Sequence, residues 1–178
     1  MQRDVLEFWF REIDPKQWWS VDPAFDTTIH ERFSALHVQA ARGELFGWRG
    51  SAHGRLAEII VLDQFSRNMF RGTPAAFAQD GMALVLAQEA VAANAHEALT
   101  EIERGFLLLP YMHSESCAIH VEAERLYRNH ALPQNHEFEL KHKAIIDRFG
   151  RYPHRNAILG RQSSAEEIEF LKQPGSGF

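Results

Sequence analysis

Three stretches of this sequence combine charged, amide and imidazole side chains at spacings that could form a binding or catalytic site. The first is LDQFSRNMFRG at residues 62–72. On a helix, residues at i, i+3, i+4 and i+7 share one face, and here that face is polar: Gln64, Arg67, Asn68 and Arg71. Asp63 can pair with Arg67 one turn later, and it needs such a partner because its surroundings are apolar. The stretch predicts either a salt-bridged solvent face or the wall of a polar cavity.

The second stretch, LPYMHSESCAIH at residues 109–120, places an imidazole and a carboxylate at the start of a helix. We expect Pro110 to end one helix and a nearby serine to begin the next. His113 and Glu115 could act as an acid–base pair at the helix mouth, or they could simply stabilise the helix N-terminus. Cys117 could pair with a histidine as a nucleophile, but a lone cysteine on a helix is more often a small core residue.

The third stretch, RFGRYPHRNAILGR at residues 148–161, contains four arginines and no acidic residue. Residues 141–161 carry a charge of +5, whereas the whole chain has a net charge of −5. Arginine suits bidentate recognition of carboxylate or phosphate groups, so the loop predicts an anion pocket. The alternative is ion pairing to neighbouring helices. His154 is a third candidate for proton transfer, and the candidate ligand-binding residues of the loop are Arg148, Arg151, Arg155 and Asn156.

Helices must position these stretches, since nearly every segment has apolar residues at helical spacing and no convincing strand alternation occurs. Capping residues and glycines predict the bounds of these helices. The expected helices begin near Asp4, Asp26, Ser51, Asp80, Thr100, Ser114 or Ser116, Asn135 and Ser164, and the helix before the third stretch ends at Gly150. We therefore predict an all-α fold of antiparallel helix pairs that forms one domain over residues 1–178.

Composition and motifs narrow the possible classes of function. A single cysteine allows no disulfide within the chain, and the sequence shows no signal peptide or membrane-spanning stretch, so we expect a cytoplasmic protein without membrane contact. The negative net charge argues against nucleic-acid binding. None of the ten histidines is in an H-E-x-x-H arrangement, and glycine-rich phosphate-binding motifs do not occur, so we expect neither a metal nor a cofactor.

The three stretches closely resemble the motifs of a bacterial family known as domain of unknown function 924. The resemblance extends from VLEFWF near the N-terminus to FL near the C-terminus, although Ser66 stands where the family favours proline. It implies a helical, tetratricopeptide-like fold and no particular activity. By motif it carries over Asp63, Gln64, Arg67, Asn68 and Arg71, then His113, Ser114 and Glu115, and finally Arg148, Gly150, Arg151, Pro153, His154, Arg155 and Asn156.

Three functions agree with these residues. The first is a small-molecule site, in which arginines hold an anionic metabolite and His113, Glu115 or His154 moves protons, as in a hydrolase or transferase. The second is a helical-repeat module that binds an acidic peptide or protein. The third is a buried ion-pair network that only stabilises the fold. The anion site is favoured because Arg67 and Arg71 add positive charge that the basic loop does not need for its own pairing.

Overall fold

Helices account for most of residues 1–177, the part of the chain that this computed structural model describes, and no strand occurs there. The α-helices of that part are α1 (Gln2–Glu7), α2 (Pro23–Ala41), α3 (Ala52–Ile60), α4 (Ser66–Met69), α5 (Asp80–Ala92), α6 (Glu101–Met112), α7 (Cys117–His130), α8 (Pro133–Phe149) and α9 (Ala165–Leu171). Two π-helical turns, Phe8–Glu12 and Val61–Phe65, extend α1 and join α3 to α4. Short 3₁₀ turns lie at Pro15–Trp19, Phe46–Gly50, Pro74–Phe77, Ala95–Ala98 and Pro153–Arg155. The predicted all-α fold is confirmed.

Side-chain caps begin three of these helices at the predicted residues, the first of them Ser51 before α3. Before α6, the Thr100 hydroxyl accepts the Glu103 N–H at 3.3 Å, and the Glu103 carboxylate accepts the Thr100 N–H at 2.8 Å. Ser164 and Glu167 form the same capping box before α9. Each box satisfies two backbone donors near the helix start. Gly150 follows the C-terminal end of α8. It has a φ of +67°, a left-handed conformation that glycine adopts without steric cost.

The predicted starts of the first two helices are wrong. α1 begins at Gln2 rather than after Asp4, and no side chain caps it. α2 begins at Pro23 rather than near Asp26, because the Asp22 side chain accepts the N–H groups of the first turn. Proline suits the first helical position, where its missing N–H would have no helical partner.

The prediction that Pro110 ends a helix is wrong, because Pro110 lies inside α6. A proline at this position removes one helical hydrogen bond and disfavours the helix by about 3 kcal/mol. The six consecutive residues Leu107–Met112 are all buried, and this burial outweighs the cost. α8 begins at Pro133, two residues before the predicted start at Asn135, again with proline at the first helical position.

The main apolar core lies among the first seven helices. Its largest fully buried side chains include Trp9, Phe65, Leu107 and Leu126. A smaller apolar cluster, formed by Ile145, Ile146 and Tyr152, joins α8 to the loop that follows it. α3 packs on α6, and α5, α6 and α7 each pack on the next helix along the chain. Within the described part of the chain, no helix is long and apolar enough to cross a lipid bilayer.

Candidate functional site

The π-helical turn Val61–Phe65 places the Asp63 side chain inside the protein, where it is 1% exposed. Its Oδ1 accepts a hydrogen bond from His113 Nδ1 at 2.7 Å and lies 3.1 Å from an Arg67 guanidinium nitrogen. Its Oδ2 accepts from the Gln64 amide at 2.6 Å. Burial alone would raise the pKa of Asp63, but Arg67, His113 and Gln64 outweigh it and hold the pKa well below its ordinary value. Asp63 is therefore a buried, ionised carboxylate.

This carboxylate fixes the tautomer of His113. An ionised carboxylate can only accept, so His113 Nδ1 carries the hydrogen and Nε2 is the basic nitrogen. No side chain or backbone group within residues 1–177 is hydrogen-bonded to Nε2, and the ring is 15% exposed. Burial lowers the pKa of His113 and Arg67 lowers it further, although Asp63 opposes them. At neutral pH the ring is uncharged and presents an open basic nitrogen.

Asp80, the first residue of α5, is shared between two arginines. Arg67 donates to both of its carboxylate oxygens, at 2.9 and 3.0 Å, and Arg155 donates to Oδ2 at 3.2 Å. These bonds connect residues 13 and 75 positions apart in the chain. One carboxylate therefore joins α4 and the basic loop to the start of α5.

Arg155 is held by stacking and by its two terminal nitrogens. Its guanidinium lies 4.7 Å from the Phe77 ring centre and 4.6 Å from that of Tyr152. One terminal nitrogen donates to Asp80, and the other donates to the His113 carbonyl oxygen at 3.0 Å. The third nitrogen, Nε, is buried and has no hydrogen-bond partner among residues 1–177. Burial and the nearby Arg67 lower the pKa of Arg155, while Asp80 and Glu115 oppose the shift.

A cavity of about 340 Å³ lies in front of these groups. The second and third stretches contribute residues to its lining, and Arg67 of the first stretch holds Asp80, which also lines it. Its polar lining consists of Asp80, His113, Ser114, Glu115 and Arg155. The rest of its lining consists of Pro74, Phe77, Ala78, Gly81, Leu84, Pro110 and Leu159. The arrangement suits a small molecule with one polar end and one apolar end.

The residues predicted from the first stretch divide into two groups. The first group consists of Asp63, Gln64 and Arg67. Asp63 contacts both of the others, and none of the three is part of the cavity lining. Asn68 and Arg71 contact Asp26 of α2 instead, at 2.8 Å for Asn68 and at 2.7 and 2.9 Å for Arg71. These two side chains tie α4 to α2 and are not part of the cavity lining.

Two of the four arginines of the basic loop pair with acids near the C-terminal end of the chain. Arg148 contacts Glu166, and Arg151 makes a bidentate pair with Glu167. The Arg151 hydrogen bonds lower the pKa of Glu167 to about 2. Asn156 is fully buried and bonds to Ser163. Arg155 is thus the loop arginine that reaches the cavity, while the others described here hold α9 in place.

The two remaining candidates for proton transfer have different surroundings from His113. Both oxygens of Glu115 accept from Arg161, at 2.6 and 2.8 Å, and one also accepts the Tyr152 N–H. Burial opposes these bonds, but they hold the pKa of Glu115 below its ordinary value. His154 does not line the cavity, and burial lowers its pKa to about 4.

Sequence reasoning did not identify Asp80, Phe77 or Arg161 as members of this site. From the sequence, Asp80 is recognisable only as the start of a helix, because its partners Arg67 and Arg155 are 13 and 75 positions away. A buried His120–Glu139 pair at 2.7 Å was also missed. Two residues on different helices can be recognised as a pair only after the fold is known.

The described residues contain no group of three or more histidines, cysteines, aspartates or glutamates that could hold a metal ion. Asp63 contacts both His113 and Arg67, and the Arg67 cation would repel a metal bound there. Chemically, a guanidinium such as that of Arg155 can hold an anion, and a neutral imidazole such as that of His113 can accept a proton.

Comparison with known proteins shows the family of the chain. A solved structure, that of the protein of unknown function ATU0120 from Agrobacterium tumefaciens, is 38% identical, with 96% of each chain covered and a TM-score of 0.91. No curated protein matches the sequence. Residues 5–175 match the family model described as bacterial protein of unknown function (DUF924). The chain therefore belongs to the DUF924 family.

Proposed function

We propose that the protein binds a small anionic molecule in the cavity in front of Arg155. The observation that carries this proposal is a buried guanidinium at the wall of an open cavity, with hydrogen-bonding capacity left over. Arg155 shares the Asp80 carboxylate with Arg67, and its bond to Asp80 is the longest of the three. Within residues 1–177, each of its two terminal nitrogens makes a single hydrogen bond, although each carries two hydrogens. A carboxylate or phosphate near this guanidinium would gain a charge-assisted bond that the protein does not supply.

The cavity also favours a ligand of a particular shape. Its volume of about 340 Å³ is at the small end of the usual range for ligand pockets. Pro74, Leu84 and Leu159 form an apolar wall, whereas His113 and Arg155 lie in its polar part. We therefore propose a small carboxylated or phosphorylated compound with a short apolar body.

Ion pairs to acids favour a structural role for the arginines of the motifs that do not line the cavity. Arg71 with Asp26, Arg151 with Glu167, and Arg161 with Glu115 each join segments distant in sequence. Removing one partner of a buried pair costs about 3–5 kcal/mol, and exposed pairs contribute less. This pairing leaves little free positive charge on the loop for an acidic peptide, so we do not favour that alternative.

Two finer expectations accompany the proposal. The packing of each of α5 to α7 on the next helix is consistent with a tetratricopeptide-like array, which the family resemblance also implies. A cytoplasmic location agrees with the free, exposed Cys117, because reducing compartments keep such thiols reduced.

Thermal unfolding in the presence of acetate, butyrate or inorganic phosphate tests the proposed function. At 100 times its Kd, a bound anion adds about 2.7 kcal/mol of stability, which corresponds to a rise in Tm of about 5–10 °C. We expect Arg155→Met to abolish the rise, measured against the Tm of that variant without ligand. Arg148→Met is the matched control, because Arg148 is half-exposed and contacts Glu166 away from the cavity. A rise that Arg155→Met leaves intact, or no rise with any of these anions, would contradict the proposal.

A further inference from the structure

We propose that Asp63 and His113 form a catalytic dyad that hydrolyses a small carboxylic ester in this cavity, with His113 as general base and Asp63 as its positioning residue. The inference rests on the proposed function, because the ester would occupy the same cavity as the anion. It goes beyond binding by assigning a reaction, a substrate class and a role to each member of the pair.

The geometry of the pair supports this assignment. Asp63 Oδ1 accepts from His113 Nδ1 at 2.7 Å, and the amide of Gln64 and the guanidinium of Arg67 hold the carboxylate in place. A carboxylate behind an imidazole fixes the ring orientation and stabilises the imidazolium that forms when the other nitrogen takes a proton. His113 lines the cavity, and its Nε2 has no hydrogen-bond partner in the described part of the chain.

The surroundings of His113 favour water as the nucleophile. Within residues 1–177, no serine, threonine or cysteine side chain is hydrogen-bonded to Nε2. The thiol of Cys117 is directed instead to the Ile146 carbonyl oxygen, at 3.6 Å. A covalent acyl-enzyme needs a nucleophile within hydrogen-bond reach of the base. A water molecule in the cavity requires no such neighbour.

The reaction balances without any further reactant. The water oxygen bonds to the ester carbonyl carbon while His113 Nε2 takes one of the water protons. The tetrahedral intermediate then expels the alkoxide, the carbon–oxygen bond of the ester breaks, and His113 returns the proton to the alkoxide oxygen. The products are a carboxylic acid and an alcohol. Arg155 donates to the His113 carbonyl oxygen at 3.0 Å, so the guanidinium proposed to hold the carboxylate product lies next to the base.

Hydrolysis of 4-nitrophenyl acetate, followed by the release of 4-nitrophenolate, tests the dyad. We expect the wild-type protein to exceed the buffer rate, and His113→Gln to lower this excess by about 100-fold or more. Asp63→Asn should also lower it, whereas His30→Gln on the exposed surface of α2 should have no effect. A wild-type rate equal to that of buffer, or full activity in His113→Gln, would overturn the inference.

Nitrogen-15 NMR of the histidines in the wild-type protein provides a readout that does not depend on whether the variants fold. At pH 7 we expect the neutral tautomer of His113 with hydrogen on Nδ1, and the opposite tautomer would overturn the role of Asp63. The two proposals also fail separately. If butyrate stabilises the protein through Arg155 but the ester is not hydrolysed, the dyad is wrong and the binding proposal stands.

Discussion

The positive charge that Arg155 can offer a ligand depends on how the Asp80 carboxylate is shared between Arg67 and Arg155. Arg67 makes two bonds to this carboxylate and also lies 3.1 Å from Asp63, so its positive charge is well compensated. Arg155 makes one longer bond to Asp80 and has an unsatisfied Nε. Unsatisfied buried donors are costly, at about 1–3 kcal/mol each. Because the buried Nε cannot be reached from the cavity, a bound anion would accept from a terminal nitrogen of Arg155 instead.

His113 and Glu115, two positions apart in the second stretch, have different hydrogen-bond partners. Glu115 accepts three hydrogen bonds, two of them from Arg161, and these bonds keep its pKa low. Such a carboxylate is a weak base and supports the structure. His113 has only one of its ring nitrogens occupied, by Asp63. The partners of each side chain, rather than its chemical type, therefore explain why we propose a role as base for His113 and not for Glu115.

Among the elements, the start of α3 must approach the preceding 3₁₀ turn very closely. Gly54 lies in the first turn of α3, and a Cβ atom there would lie 2.0 Å from the backbone oxygen of Trp48. This contact sets the position of α3 and therefore of the π turn that carries Asp63. The glycine at this position is required by packing, because the opposing atom belongs to the backbone and has little freedom to move.

We expect Gly54→Ala to destabilise the protein by about 1–3 kcal/mol through overpacking. Urea unfolding measures this change. The matched control is Gly81→Ala in the first turn of α5, where nothing lies within 4 Å of an added Cβ. There alanine should be neutral or stabilise the helix by up to about 1 kcal/mol. Equal effects of the two substitutions would show that the close approach of α3 to Trp48 is wrong.

Local rules predicted the elements better than the site. The capping boxes at Thr100 and Ser164 and the glycine end of α8 follow from neighbouring residues, and all were predicted. The π turn was not predicted, because its apolar pattern is hard to distinguish from that of an α-helix. The pairing of Arg155 with Asp80 spans 75 positions, so only the tertiary fold determines it. The sequence showed which residues could do chemistry but not which of them meet.

The arginines of the basic loop join distant parts of the chain through ion pairs. Arg148 and Arg151 contact Glu166 and Glu167 at the start of α9. Arg161 contacts Glu115 before α7, and Arg155 contacts Asp80 at the start of α5. An acidic protein gathers its cations here because acids from several elements converge on this loop.

The stability of the whole protein should fall as pH falls from about 6.5 to 4. Burial lowers the pKa of His142 to about 3 and that of His154 to about 4. In this pH window the unfolded chain binds more protons than the folded chain, so acid favours unfolding, by up to about 1.4 kcal/mol per pH unit for each histidine. Burial raises the pKa of Glu139, which offsets part of this loss.

Urea unfolding at pH 7, 6 and 5 measures this dependence. His154→Gln should weaken it, because the variant lacks one of the buried histidines that take up a proton on unfolding. A free energy of unfolding that stays constant from pH 7 to pH 5 would contradict the burial of these two histidines.

The central claim is that Arg155 contacts a bound anion, and an NMR titration of the arginine Nε–H signals tests it most directly. The Arg155 signal is assigned by its loss in Arg155→Lys, and butyrate is then added at constant ionic strength. We predict a saturable shift of the Arg155 signal, with little change in the signals of Arg148 and Arg151, which contact acids away from the cavity. A stationary Arg155 signal, or equal shifts of all three, would show that this cavity is not an anion site.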